Sequence, residues 1–188
     1  RRLAPLRKTH PHVVERAQRG NFGIALYSRL PILSSRIAKF SDPDLPSIVA
    51  TLKLDARRSV RVIATHPVPP LHSRESAKLR DAHINKLADL ASATRHLPLV
   101  VAGDLNATQF SPIFAKLLSR GRLRSARQGH GVLPSWPTSL WPMRIPLDHV
   151  LVNHRLRTLR VALGPDIGSD HLPLIARLGL TPEGELDN

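Results

Sequence analysis

Leu97-Pro98-Leu99-Val100-Val101-Ala102-Gly103-Asp104-Leu105-Asn106 is the most informative stretch of this 188-residue sequence. Leu97 to Ala102 is a short, continuously apolar run, the pattern of a strand buried on both faces. It ends on a glycine and then on a carboxylate and an amide, with one leucine between them. A buried strand that finishes this way delivers Asp104 and Asn106 to the rim of its sheet. The plainer reading is a turn, because Asp and Asn bond their own backbone readily.

Three other polar spots interrupt apolar runs in the same manner. His66 closes the run Val60–Thr65, Asp148 opens the strand around Val150, and Asp170 and His171 open the strand that begins at Leu172. Two spots are strand ends and two are strand starts. If the later strands run antiparallel to the earlier ones, all four reach one sheet edge. Three carboxylates gathered there would repel one another, and a divalent cation relieves that. Oxygen ligands in a chain without cysteine favour magnesium, manganese or calcium over zinc. A histidine held by an aspartate has its tautomer fixed and its imidazolium stabilised. Metal, a His–Asp pair and basic surroundings together point to hydrolysis of a phosphate ester. Singly, His66 also reads as a half-buried strand-end histidine, and Asp170 as a turn cap after Gly168-Ser169.

Outward from these spots, Phe22 to Tyr27 reads as a buried strand, and Leu30-Pro31-Ile32-Leu33 as a sheet edge or bend. Ile48–Leu54 and Val60–Thr65 form a hairpin around Asp55-Ala56-Arg57-Arg58. Ser73 caps a helix over 74–95 that buries Ala77, Ile84, Leu87, Ala88 and Ala91. Ser111-Pro112 opens a second helix and Gly121 ends it. Residues 122–146 read as an irregular connection, Leu156–Leu163 and Leu172–Leu178 as strands. Residues 1–20 are polar with weak periodicity.

Lys and Arg number 28 against 14 Asp and Glu, a formal charge of +14. The excess is mostly arginine, clustered at Arg57-Arg58-Ser59-Val60-Arg61, at Arg120, Arg122, Arg124 and Arg127, and at Arg155, Arg157 and Arg160. Arginine forks match phosphate oxygens, and a charge this high attracts polyanions. The clusters hold no aromatic residue, which argues against a pure single-strand binder. A hydrophobic fraction of 41% excludes a wholly disordered chain. The length suits one domain, 1–180, with a tail at 181–188. The absence of cysteine excludes disulfides, cysteine zinc sites, iron–sulfur clusters and thiol catalysis. No apolar run approaches the ~18 residues of a membrane helix, and no secretory signal opens the sequence. Trp136, Trp141 and Arg144 precede Asp148, and Trp136 and Arg144 are candidate substrate contacts; local packing is the alternative for the tryptophans.

Five segments carry a family resemblance: Gly23-Ile24-Ala25-Leu26-Tyr27-Ser28-Arg29-Leu30-Pro31-Ile32, Thr65-His66-Pro67, Gly103-Asp104-Leu105-Asn106, Leu147-Asp148-His149-Val150-Leu151-Val152 and Gly168-Ser169-Asp170-His171-Leu172-Pro173-Leu174. In order and spacing they resemble the endonuclease/exonuclease/phosphatase superfamily, with the Thr-His-Pro-x-Pro-Pro run most similar to an uncharacterised bacterial subgroup. The resemblance implies an α/β, four-layer αββα sandwich: two mixed β-sheets face to face, flanked by helices. It implies a phosphoesterase that uses Mg²⁺ or Mn²⁺. His171 would act on the scissile phosphate or help activate the water, and Asp148 would orient His171. Asp104 would position or deprotonate the water, and Asn106 would bind phosphate or support Asp104. His66 would contact a phosphate oxygen. Asp170, with Asp104, would serve the metal, and His149 would be structural.

The family also carries an Asn and a metal-binding Glu upstream of the segment at Gly23. Glu15 is the only nearby acid, and it is polar-flanked and too close to Gly23 to fill that place. The expectation is a chain that starts after that glutamate, lacks the first strands of the domain, binds metal weakly and is a poor catalyst by itself. The expected partner is nucleic acid or another phosphate-ester substrate, acted on by a monomer without an obligate protein partner. A phosphatase or phospholipase C-type hydrolase of phospholipid or inositol phosphate is the alternative enzyme. A catalytically impaired phosphate- or nucleic-acid-binding module is the alternative outside enzymes. The compartment stays open between cytoplasm and a membrane anchored through an upstream segment.

Overall fold

Apolar runs that do not alternate require cover on both faces, and the chain supplies it. In the computed structural model, which describes residues 5–18, 20, 22–41, 45–70 and 73–182, six strands form a central sheet. They are β3 (Ile32–Lys39), β4 (Pro46–Lys53), β5 (Ser59–Ala64), β6 (Leu99–Asp104), β7 (Arg124–Ser125) and β8 (Asp148–Val152). Their spatial order is β3-β4-β5-β6-β8-β7. The β5–β6 pair is parallel and the others are antiparallel.

The two-residue period of the strands sorts this sheet into two cores. Val49, Ile63, Leu99, Val101 and Leu151 face the helices α2 (Arg74–Ala93) and α3 (Pro112–Gly121), meeting Ile84, Leu87, Ala88, Ala91, Phe114 and Leu117. Ile48, Ala50, Leu52, Val60 and Val152 face the other way. There they pack under β1 (His12–Arg16) and β2 (Ile24–Ser28), through Val14, Ile24 and Leu26, and under β10 (Leu174–Leu180), through Leu178 and Leu180. β10 pairs with β9 (Leu156–Leu163).

The α/β sandwich expected from the motifs is present, with two differences in its layers. The second sheet layer is two separate antiparallel ladders, β1–β2 and β9–β10, not one mixed sheet. Both long helices lie on the same face of the central sheet. Among the described residues the one other helix is α1 (Leu6–Thr9), four residues with none buried, so no fourth, helical layer forms there. No helix among the described residues is long and apolar enough to cross a membrane.

Most element readings match. The hairpin is β4–β5, the edge strand is β3, and Ser73 caps α2 by accepting from the Ser76 amide while Ser76 answers the Ser73 amide. The polar opening conceals β1, which the sequence reading missed. Its pattern is half-exposed, because only Val14 reaches the core. Gly121 is the last helical residue, and the left-handed turn falls on Arg122, φ 51°. The last strand starts at Leu174 rather than Leu172. Of the expected tail, Thr181 is bonded to the backbone of Arg155 and His154, and 183–188 lie outside the described residues.

Two positions lock the end of the sheet where β6 stops. An added Cβ on Gly103, φ 149°, would sit 1.9 Å from the Thr65 carbonyl oxygen, so the ends of β5 and β6 touch where only glycine fits. His149, 1% exposed, meets the Phe114 ring at 4.5 Å and shares a 2.8 Å hydrogen bond with the Ala107 carbonyl, which requires Nε2–H as donor. It is structural, as expected. Burial lowers its pKa from 6.5 to about 4.

Two measurements follow from these positions. Gly103→Ala will lower unfolding free energy by at least ~2 kcal/mol in urea, from steric clash plus left-handed strain; an unchanged midpoint would refute the close approach. His149 is neutral in the fold but takes a proton near 6.5 when unfolded. Its contribution is therefore complete above pH 6.5 and drains as pH falls toward 4, a loss of about 3 kcal/mol. His149→Gln, which keeps a donor but does not titrate, will flatten that decline, and parallel stability curves would sink the assignment.

Candidate active site

The register of β6 and β8 builds the site. In this antiparallel pair Val100 faces Val152 and Asp104 faces Asp148, so one strand's last residue and the other's first lie side by side at one rim. β5 runs parallel to β6, and its end releases His66 at the same rim. His171 arrives from the loop before β10. The loop is tied in by two backbone bonds, Leu172 N–H to the Ser135 carbonyl at 2.9 Å and Thr138 N–H to the Asp170 carbonyl at 2.8 Å.

His171 Nδ1 lies 2.7 Å from Asp148 Oδ2. Its Nε2 then points toward Asp104, with 3.8 Å to Oδ2. His66 Nε2 stands 3.6 Å from the same oxygen. The other Asp104 oxygen accepts the Asn106 amide N–H at 2.7 Å. Asn106 adopts a left-handed φ of 47°, a conformation Asn tolerates better than most residues. Its side-chain amide donates to the Pro67 carbonyl at 2.9 Å, which ties the loop after β6 to the loop after β5. The Asp-x-Asn stretch is thus a turn and a site at once.

The charges are set apart by their surroundings. Burial pushes the Asp104 carboxyl above the ordinary carboxylate value, against the Asn106 amide and His66. Burial also acts to raise Asp148, but hydrogen bonds from His171 and Ser135 outweigh it and hold that carboxyl low. The bond to Asp148 raises His171 above an ordinary histidine. Burial lowers His66, and His171 nearby adds to that against the pull of Asp104. The result is a His171–Asp148 pair in which each partner favours the other's charged form, beside a reluctant carboxylate, a combination suited to proton transfer.

His66, Asp104, Asn106 and His171 line a cavity of about 690 Å³ with Asp170 and Trp136, while Asp148 holds His171 from outside that lining. The His171 and Trp136 rings are 6.2 Å apart. The sequence reading missed four other contributors. Phe22 lies 5.3 Å from the His66 ring, and Pro69 and Pro70 extend that apolar wall. Arg80 lines the cavity from α2, donates to the Asn106 carbonyl at 3.1 Å and pairs with Asp81. Its spacing on the buried side of α2 was the available signal. Arg144 does not line this cavity. Its guanidinium donates to the Pro137 and Thr138 carbonyls and lies 5.6 Å over the Trp141 ring, so it braces its own loop.

Arg127 was also missed. It is 2% exposed and donates to the carbonyls of Val132, Leu133 and Asp148. Burial lowers its pKa to about 10, which leaves it cationic at neutral pH. One buried guanidinium therefore fastens the long connection to the start of β8.

Asp104 and Asp170 offer hard oxygens to one cavity, and burial makes the Asp104 charge costly without a cation beside it. Among the described residues no group of three or more His, Asp or Glu side chains is placed to hold a metal. The set fits an ion that keeps most of its own water, as magnesium does, and not a full protein cage. Glu15 is elsewhere, bonded to Arg7 and to the Tyr27 hydroxyl.

Helices, a six-stranded sheet and a second layer of strands, with a His–Asp pair at the rim of the central sheet, define an α/β sandwich with a site at one sheet edge. Comparison with known proteins identifies its family. The family model described as Endonuclease/Exonuclease/phosphatase family matches residues 2–171, and the chain belongs to that family. Its members are phosphoesterases, hydrolases of phosphate esters that generally use divalent metals. Among solved structures, the human Nocturnin catalytic domain with bound sulfate is similar at TM-score 0.74 and 20% identity, over 95% of this chain and 76% of that one. An endonuclease/exonuclease/phosphatase from Beutenbergia cavernae is similar at TM-score 0.76 and 19% identity, over 99% of this chain. This chain spans only 61% of that protein. The 3′ phosphatase NExo from Neisseria, bound to product DNA hairpin, is similar at TM-score 0.72 and 23% identity, over 94% of this chain and 82% of that one. No curated protein matches.

Arg127→Met will lower unfolding free energy by about 3 kcal/mol, because three carbonyls lose a charged donor inside the protein. Urea denaturation checks it, and a loss under ~1 kcal/mol would mean that the clamp is not structural.

Proposed function

We propose that the protein is a divalent-metal-dependent phosphodiesterase whose substrate is nucleic acid. The observation that carries this reading is the 2.7 Å bond between His171 and Asp148, with Asp104 3.8 Å from the opposite ring nitrogen. A phosphate in the cavity would meet imidazolium on one side and a carboxylate capable of orienting water on the other.

In this mechanism Asp148 fixes His171 with its proton on Nδ1 and stabilises the ring's positive charge. His171 Nε2 binds a non-bridging phosphate oxygen or exchanges a proton with the attacking water. Asp104, high in pKa, holds or deprotonates that water. Asn106 keeps Asp104 in place through its amide N–H, and His66 completes the phosphate contacts. Asp104 and Asp170 would hold the metal, which when bound supplies charge neutralisation at the phosphoryl oxygens. Phe22 and Trp136 give the cavity aromatic flanks, room for a ring next to the phosphate.

The net charge of +14 supports a polyanionic substrate, as does the fold likeness to a phosphatase that acts on a DNA end. A second reading, hydrolysis of phospholipid, is favoured by one feature. The loop that carries Arg144 exposes Leu140 (54%), Trp141 (73%) and Met143 (74%) at the side of the cavity lined by Trp136 and Ile145.

The test is cleavage of bis-p-nitrophenyl phosphate, of an oligonucleotide and of phospholipid vesicles, with and without magnesium or manganese. His171→Ala and Asp148→Asn should each lower phosphodiester cleavage about 10²–10⁴-fold without unfolding the protein. Oligonucleotide cleavage that survives both substitutions, or turnover of vesicles alone, would overturn the nuclease reading.

A further inference from the structure

Arginines distant in the sequence, Arg95, Arg120, Arg122 and Arg155, meet at the pole opposite the catalytic rim. The parallel β5–β6 pair requires α2 to run back across the sheet. Arg80, in its second turn, lines the catalytic cavity, and its C-terminal end arrives where β6 begins. The distance between the poles follows from the β6–β8 register: Asp104 faces Asp148 at the rim, and Val100 faces Val152 four residues away. At ~3.4 Å per residue the two ends of β6 are about 17 Å apart.

At the far end α2, α3 and the β8–β9 turn converge. A cavity of about 620 Å³ is lined there by Asp89, Ser92, Arg95, Arg120 and Arg122. Arg155 donates to the Arg95 carbonyl at 3.1 Å, which joins the turn to the end of α2. His154 shows how closely the charges gather. It lies below its ordinary pKa, first through burial and then through repulsion by Arg155, Arg124 and Arg122. Asp89 is the acid that lines this cavity, and it is bound to Arg120 at 2.7 Å. Among the described residues the guanidiniums of Arg95 and Arg122 have no hydrogen bond or ion pair.

Like charges held together cost free energy unless an anion joins them. The backbone does not demand arginine here. Arg122 occupies a left-handed turn, φ 51°, where Gly or Asn is the usual residue. No side chain in the patch is aromatic, so it cannot stack on unpaired bases. Its exposed apolar surface is also too small to enter a bilayer, since none of the large exposed apolar side chains lines this cavity. Forked donors without stacking surfaces suit phosphates at fixed spacing.

We propose that this pole is a second binding site, one that grips the phosphate backbone of a nucleic-acid duplex without regard to sequence. It is separate from the catalytic cavity and does not depend on what that cavity cleaves.

The test is binding of a 30-base-pair DNA duplex by fluorescence anisotropy in EDTA, across a series of salt concentrations. Arg95→Gln/Arg122→Asn should weaken binding about tenfold near 0.1 M salt and reduce the slope of log K against log salt by about 2, one unit per lost phosphate contact. Asn suits the left-handed turn, so this variant should fold. Arg95→Lys/Arg122→Lys should retain most of the affinity. The same loss should appear when the two arginines are replaced in a His171→Ala background, even if the cavity proves to take another substrate. Arg36→Gln/Arg160→Gln removes the same charge from other exposed sites and should cost less than twofold. An equal loss in that control would show diffuse attraction by net charge and overturn the proposal. So would loss of binding to anionic vesicles with duplex binding intact.

Discussion

The antiparallel register between β6 and β8 is the constraint on which the site depends. Asp104 opposite Asp148 is a costly arrangement, because two carboxylates approach each other beneath partial cover. The structure offsets the cost unequally. Asp148 receives His171 and Ser135, whereas Asp104 receives one backbone amide and stays poorly compensated. That inequality separates the roles: one carboxylate is spent on holding a histidine, and the other is left available for chemistry. A slip of one residue in this pairing would turn both side chains to the opposite face of the sheet.

The fastening of the rim explains why such a register persists. Gly103 lets β6 and β5 close to contact, which brings His66 beside Asp104. Asn106 bonds across to Pro67. Arg127 ties the long connection to Asp148 through carbonyl groups, and His149 plugs the helix side beneath it as a neutral ring. Each anchor acts on backbone more than on catalytic side chains, so the cavity inherits its geometry from the sheet.

The sheet and its rim residues were largely legible in the sequence. Runs such as Leu99–Ala102 and Ile48–Leu52 lack alternation because both faces are covered, and their polar ends stand out for that reason. The strand β1 was not legible. It is an outer strand with one side to solvent, and Val14 is its sole contribution to the core. The division of the second layer into two ladders could not be read either, since β1–β2 and β9–β10 each alternate as one edge of a single sheet would. Phe22 and Arg127 reach their places through loops, where no local period reports such convergence, and Arg80 stands out only as a cation at core spacing on α2. Arg144 shows the reverse failure: an arginine beside the site in sequence turned its guanidinium to its own loop. The metal ligands, the substrate and the roles assigned to each side chain remain proposals resting on the family's chemistry and on the geometry of the cavity.

The parallel β5–β6 pair, bridged by α2, has a consequence for how the molecule assembles. The chain must complete a long excursion before β6 can dock, and a second one through the irregular connection before β8 can. His66, Asp104, Asp148 and His171 therefore meet only after the most distant contacts in the chain have closed, contacts whose loop entropy makes them slow to form. No early, local intermediate can possess a working rim. Completion of this rim is a late event in folding.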